Sequence, residues 1–250
     1  MREFAQLREA VLPIFEQASL MALGERANKT VEVKSDRSLV TSVDRMVEDF
    51  LLKELSKLTP GVGFWGEETG RHGDRENGLW VLDPIDGTTN YVYDQPIWGI
   101  TAGLVVDNQI RLGVTAMPDL GSLLSASLGG GCFCNGERLP QVESGEIKPY
   151  HLVGHGDSYM ALAPRSPGKM RHIGSFSVES AFVAMQKLRA LTTARVRLYD
   201  AAGGVLLCRE VGCVVKDMDG SDWSESEWLG DDRVEPFFIG PADSNFPFGN

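Results

Sequence analysis

Over the first sixty residues the apolar positions fall at helical intervals. Phe4, Leu7, Val11, Ile14, Phe15, Ala18 and Met21 mark an amphipathic helix over residues 3–27, with Pro13 inside it as an expected kink. A polar stretch, KSDRSLVTSVD (34–44), leads to a second helix with Val43, Val47, Phe50, Leu51, Leu55 and Leu58 on one side. Thr41 and Asp44 have capping-box spacing, with Asp in place of the preferred Glu. Residues 60–78 hold six glycines and several charges and read as a loop carrying WGEETG. The pattern then becomes strand-like. One run ends at Asp83, a second covers 97–106, a third 109–116 after the turn Asp107-Asn108, and a fourth 122–128. CNGERL contains a tight Asn135-Gly136 turn.

Periodicity fades between residues 140 and 172, which read as connections around a short strand at 151–154. Ser177 to Leu191 reads as a helix, Arg195 to Tyr199 as a strand ending at Asp200, and AAGGVLLCREVG as another helix. Val214-Val215 and Phe237 to Ile239 suggest two closing strands, and the tail PADSNFPFGN has no helical character. Hairpin neighbours early and helix–strand alternation later predict a layered α/β (α+β) fold. The expected organisation is one domain over 1–250, an N-terminal α+β half (about 1–140) joined to a C-terminal α/β half (about 141–250).

Composition narrows the function classes. The 250 residues carry a formal net charge of −11, which argues against non-specific nucleic-acid binding and against an anionic membrane surface. No run is long enough for a membrane span and no signal-peptide pattern opens the chain, so a cytoplasmic protein is expected. The four cysteines lack metal-ligand spacing and read as small buried hydrophobes. An acidic chain acting on an anion would need a bound cation to reverse the local field.

The chemistry concentrates in WVLDPIDGTTNYVY (80–93). A strand ends at Asp83, and Pro84 stiffens the turn that sets Asp86 beside it. Two carboxylates held so close either share a proton or hold a cation, and an all-oxygen site favours a hard ion such as Mg²⁺. Gly87-Thr88-Thr89 then starts a helix whose N–H groups suit an anion. An Asp–Pro turn followed by an Asp N-cap is the plainer alternative. Glu67 and Glu68 in a glycine-bounded loop, and Asp200 before Ala201, Ala202 and Gly203, add acids where backbone and ligand can approach closely.

WVLDPIDGTTNYV resembles the first signature of the inositol monophosphatase family of Mg²⁺-dependent phosphatases, and YDAAGGVLLCREVG is similar to the second. LVTSVD, GEE, CNGERL and RHIGS match further family elements in order, so the resemblance runs from about Lys34 to Lys216. It implies a layered αβαβα sandwich of the inositol monophosphatase / fructose-1,6-bisphosphatase type, commonly a homodimer and lithium-sensitive. Glu67 and Asp83 with the Ile85 carbonyl would hold one Mg²⁺, and Asp83, Asp86 and Asp200 a second, with two or three ions per site. Thr88, bonded to Asp44, would orient and deprotonate the attacking water alongside Glu67. The Gly87 and Thr88 amides would take phosphate oxygens. The implied reaction is in-line attack of a metal-activated water on a small phosphorylated metabolite, nominally inositol 1-phosphate.

Departures fall on the substrate side. Thr193 stands where the family's inositol-phosphate enzymes have a sugar-binding Glu, and Phe176 where a small residue follows Gly-Ser175, so the polyol pocket should be crowded and its reading weakened. Cys213 replaces a glycine and Tyr199 a Trp. PIWGIT (96–101) is reminiscent of histidinol-phosphate phosphatases, while Thr-Asn after DGT disfavours 3′-phosphoadenosine nucleotides. Histidinol phosphate or a sugar (bis)phosphate is the alternative substrate. A catalytically weak regulatory relative is the alternative of another class.

Overall fold

The computed structural model describes residues 2–156, 166–194, 196–230 and 235–247. Helix α1 (Arg2–Glu25) runs unbroken through Pro13 and packs on α2 (Ser42–Leu58). Between them lies a hairpin, β1 (Val31–Val33) with β2 (Leu39–Thr41). The capping box is present: Thr41 Oγ1 accepts the Val43 and Asp44 N–H groups, and Asp44 Oδ2 accepts the Thr41 N–H at 2.9 Å.

An eight-stranded sheet follows, with spatial order β10-β9-β8-β7-β6-β5-β3-β4. Its members are β3 (Gly63–Gly66), β4 (Gly70–His72), β5 (Leu79–Asp86), β6 (Gly99–Val106), β7 (Gln109–Met117), β8 (Ser122–Ser127), β9 (Gly131–Cys134) and β10 (Glu137–Arg138). Only β3 and β5 pair in parallel. Asp107 and Asn108 both take positive φ in the β6–β7 turn, as do Asn135 and Gly136 in the β9–β10 turn, so both turns follow the sequence expectation.

The expected loop at 60–78 instead contains β3 and β4. Four residues are too few for a periodic signal, and glycine at 63 and 66 masks the aromatic pair Phe64-Trp65 between them. Gly66 is required there, because a Cβ would lie 2.4–2.7 Å from the Glu48 carboxylate.

Alternation along β5 divides the core. Trp80 and Leu82 face the α1/α2 side, whereas Leu79 and Val81 join the cluster built around the later helices. Those helices are α4 (Phe176–Ala184) and α5 (Leu198–Glu210), and α5 packs on β5, β6 and β7. A five-stranded sheet lies beyond, ordered β12-β11-β13-β15-β14, from β11 (Leu152–His155), β12 (Lys169–Arg171), β13 (Ala190–Thr193), β14 (Val214–Asp217) and β15 (Phe237–Gly240). Leu191, Val215, Phe237 and Ile239 face the α4/α5 layer; Val153, Ala190 and Phe238 face outward, where Phe246 of the non-helical tail covers Phe238 at 4.6 Å.

Two further expectations are corrected in this half. The helix expected over 177–191 ends at Ala184, because the chain reverses at Gln186 (φ 58°) and Ala190–Thr193 enter the sheet fully buried. The strand expected to end at Asp200 is absent. Leu198, Tyr199 and Asp200 form the first turn of α5, where Asp200 Oδ2 accepts the Arg197 N–H at 2.6 Å. Arg195, the start of that expected strand, lies outside the described residues. Two further short helices are α3 (Thr88–Val92) and α6 (Glu225–Trp228), the latter unsignalled by the sequence.

Candidate active site

Asp83 extends the Leu79–Val81 face of β5 and so points toward α5. Beyond it the β5–β6 register slips: Asp83 pairs with Thr101 but Asp86 pairs with Gly99. The extra residue forms a bulge that accommodates Pro84, which has no N–H for the ladder, and re-aims the strand end. The Ile85 N–H donates to Asp83 Oδ1 at 2.9 Å. The turn inferred at Asp83-Pro84 is therefore a bulge inside one strand.

Three separate elements converge on this point. Glu67 follows β3, with its N–H on the Leu82 carbonyl; Asp83 is in β5; Asp200 opens α5. Each offers a carboxylate oxygen, and all three oxygens lie within 4.8 Å of one another. Burial raises the pKa of all three, and mutual repulsion raises Asp83 further through Glu67, Asp86 and Asp200, and Asp200 through Glu67 and Asp86. Lys34 opposes the shift at Glu67, its ammonium 2.9 Å from Glu67 and 2.6 Å from Glu68. Asp86 lines the same cavity yet stands outside the triad. Its Oδ2 accepts the Ser175 hydroxyl at 2.7 Å and the Ser177 N–H at the start of α4.

Such an arrangement tolerates full ionisation only with cations present. The donors are all oxygen, which fits a hard divalent ion.

Beside the triad, the Thr88 hydroxyl lies 3.0 Å from the Ile85 carbonyl and 3.4 Å from Asp44 Oδ1, the pair expected from the sequence. Asp44 is fully buried, and desolvation pushes its carboxyl up to about 7 against the bonds from Thr41. Gly87 (φ 89°) makes the turn into α3, and a Cβ there would press on Ser175 at 3.0 Å.

The cavity, about 290 Å³, is lined by Glu67, Asp83, Asp86 and Asp200 and also by Ser175, Phe176 and Thr193. Thr193 is 2% exposed and packs beside Gly156, whose Cβ would come 2.8 Å from Thr193 Oγ1. Phe176 reaches the cavity wall, but its ring packs edge-on against Phe237 at 5.8 Å, within an aromatic cluster that includes Trp223 and Trp228.

A model of the inositol monophosphatase family matches residues 4–236. The chain belongs to the inositol monophosphatase family. Membership places it among phosphoric monoester hydrolases. It is 32% identical to the inositol-1-monophosphatase of Mesorhizobium japonicum over 234 residues, covering 85% of this chain and 87% of the relative. It is 31% identical to the fructose-1,6-bisphosphatase/inositol-1-monophosphatase of Thermotoga maritima, covering 74% of each. Its fold superposes on staphylococcal inositol monophosphatase-1, solved from a crystal soaked in LiCl, with a TM-score of 0.83 at 23% identity, covering 96% and 92% of the two chains. The layered sandwich expected from the signatures is thus the observed fold class.

Several residues of this family member escaped the sequence reading. Glu48, buried in α2, accepts the Glu68 and Thr69 N–H groups and so holds the loop that carries Glu67. The Asn90 amide donates to the Ile97 and Ile173 carbonyls, tying α3 to the segment before α4. Glu179 and His172 also line the cavity. Asp44 and Glu48 did leave a signal: they sit four apart on the stripe continued by Leu51 and Leu55, where acids are costly without a role.

Proposed function

We infer that the protein is a Mg²⁺-dependent phosphatase of a small phosphate monoester, nominally inositol 1-phosphate, cleaved to inositol and phosphate by in-line attack of water. The convergence of Glu67, Asp83 and Asp200 on one point, beside Thr88 and Asp44, supports this reading most strongly. Glu67, Asp83, Asp86 and Asp200, with the Ile85 carbonyl, would hold the ions. When bound, Mg²⁺ lowers the pKa of water and neutralises charge on the phosphoryl group and the departing alkoxide.

The remaining roles belong to the chain. Thr88 has one hydroxyl proton and two acceptors within reach, so donating it to Asp44 turns its lone pairs toward the attacking water. Asp44, poised near 7, can receive a proton passed along that line, and Glu67 stands by as the second acceptor. The Gly87 and Thr88 N–H groups are assigned to phosphate oxygens. Ser175 fixes Asp86 from the N-cap of α4, so that Asp86 and Asp200 can meet the ester side of the substrate while Phe176 and Thr193 bound its alcohol. Homodimer formation is proposed from the family resemblance alone.

A sugar bisphosphate is the second reading, supported by the double name of the Thermotoga relative. Phosphate release from inositol 1-phosphate, histidinol phosphate and fructose 1,6-bisphosphate, each with Mg²⁺ and with EDTA, tests both. Mg²⁺-dependent release from at least one is expected; full activity in EDTA would sink the metal reading.

A further inference from the structure

The cysteines take no part in the candidate site, and the end of α5 sets two of them against each other. All four are free thiols. Among the described residues none belongs to a cluster able to hold a metal; the grouping of that kind is the carboxylate triad. Cys213 is also the residue that stands where the family signature has a glycine, a departure with no part in the phosphate chemistry.

Val211 is the C-cap of α5, and Gly212 beyond it takes the left-handed conformation at φ 88°. The Gly212 N–H donates to the Arg209 carbonyl at 2.9 Å, and the Cys213 N–H to the Cys208 carbonyl at 3.0 Å. This pair of bonds is the glycine-capped helix end in which the side chain after the glycine folds back onto the last full turn. Such a contact is ordinarily apolar; here both partners are thiols. Both belong to the core cluster around α4 and α5, with Cys208 fully buried and Cys213 7% exposed. The Cys208 thiol donates to the Ser180 carbonyl at 3.2 Å. Burial, and after it the adjoining Cys213 thiol, holds the Cys208 pKa well above its usual range. Cys208 is thus a poor first nucleophile, held beside a thiol better placed to meet an oxidant.

We propose that Cys208 and Cys213 form a redox dithiol, which a peroxide converts to an intrachain disulfide across the C-terminal end of α5. Cys213, as thiolate, attacks one peroxide oxygen. The O–O bond breaks, leaving a sulfenic acid on Cys213 and a hydroxide that takes up the thiol proton as water. The Cys208 sulfur then displaces the sulfenic hydroxyl to form the S–S bond, and its own proton leaves with that hydroxyl as a second water. Two thiols give up two electrons and two protons, and one peroxide becomes two waters. The bond closes at the other end of α5 from Asp200 and clasps the helix to the chain entering β14.

Arg209 lies between the two cysteines, so trypsin separates them into peptides 198–209 and 210–216, which only a disulfide keeps together. The test treats the native protein with hydrogen peroxide, alkylates the remaining thiols in denaturant, and maps the digest by mass spectrometry. Cys208 and Cys213 should both escape alkylation, and the two peptides should appear joined, with the mass lower by the two hydrogens removed. Dithiothreitol should restore all four thiols. Cys213→Ala should abolish the joined pair, and Cys132→Ser should leave it intact. Cys208 joined to Cys132 instead, Cys213 carried to a sulfinic acid without a link, or four thiols surviving peroxide would each overturn the proposal.

Discussion

Replacing Asp83 by Asn should stabilise the protein in EDTA while abolishing its response to Mg²⁺. Asp83 is 3% exposed and its carboxyl is held well above the usual range by burial and by Glu67, Asp86 and Asp200. Two unit charges at the 4.8 Å that bounds the triad's separations repel by about 3.5 kcal/mol at an effective dielectric near 20. Lys34 offsets part of the charge on Glu67, and partial protonation relieves more, so roughly 2–3 kcal/mol is the expected relief. The Asn side chain retains an oxygen for the Ile85 N–H, so the bulge keeps its internal bond. For a chain of this size that gain corresponds to roughly 4–12 °C in Tm. Scanning calorimetry of wild type and variant, each in EDTA and in Mg²⁺, reads it. The variant should melt higher in EDTA, gain little from Mg²⁺, and lose turnover by orders of magnitude. A variant that melts lower in EDTA, or that keeps the wild-type response to Mg²⁺, would show that the carboxylate is structural and refute the reasoning.

Other perturbations test the parts separately. Asp44 has a folded pKa of about 7 against a usual 3.8, so it binds a proton on folding, and the stability it contributes is lost as pH rises from about 4 to 7. In EDTA the protein should therefore melt higher at pH 5 than at pH 7, by up to about 1.4 kcal/mol per pH unit for this group, and Asp44→Asn should flatten that slope. Thr88→Val should cost about 10²–10⁴ in kcat with the Mg²⁺-induced rise in Tm preserved, and loss of that rise would assign Thr88 to ion binding instead. Gly203→Ala puts a Cβ 2.4 Å from Thr101 Oγ1, 2.9 Å from the Ala102 carbonyl and 3.0 Å from that of Val114. It should lower stability by about 1–3 kcal/mol despite alanine's better helix propensity, because the backbone of β6 and β7 cannot yield; an unchanged Tm would contradict the close packing of α5 on the sheet. Thr193→Glu should raise activity on inositol phosphate relative to phenyl phosphate if position 193 reads the polyol, and no change would discard that role.

The elements best legible in the sequence are those whose signal is local. The capping box at Thr41-Asp44 and the turns at Asp107-Asn108 and Asn135-Gly136 follow from residue chemistry at a fixed spacing, and each is observed. The misread segments depend on partners far along the chain. β3 is a strand because it lies parallel beside β5 and under Glu48, neither of which its own four residues reveal. Leu191 reads as helix by its neighbours, yet the reversal at Gln186 delivers it to the second sheet. Asp200 and Asp83 were both recognised as acids beside small residues, but Asp200 reaches the site from a helix start and not from a strand end. The place of Glu179 in the cavity lining is not legible, because nothing local marks a carboxylate on α4 as buried. Its place follows only once α4 is packed between two sheets.

Glu67, Asp83 and Asp200 are proposed to form a divalent-cation centre. Anomalous diffraction from crystals soaked in Mn²⁺, a Mg²⁺ surrogate with an observable signal, tests it most directly. At least one strong peak is expected, coordinated by oxygens of all or most of these three side chains, with Lys34 displaced from Glu67. Activity that depends on Mg²⁺ with no peak in this cavity, or a peak bound elsewhere on the molecule, would contradict it.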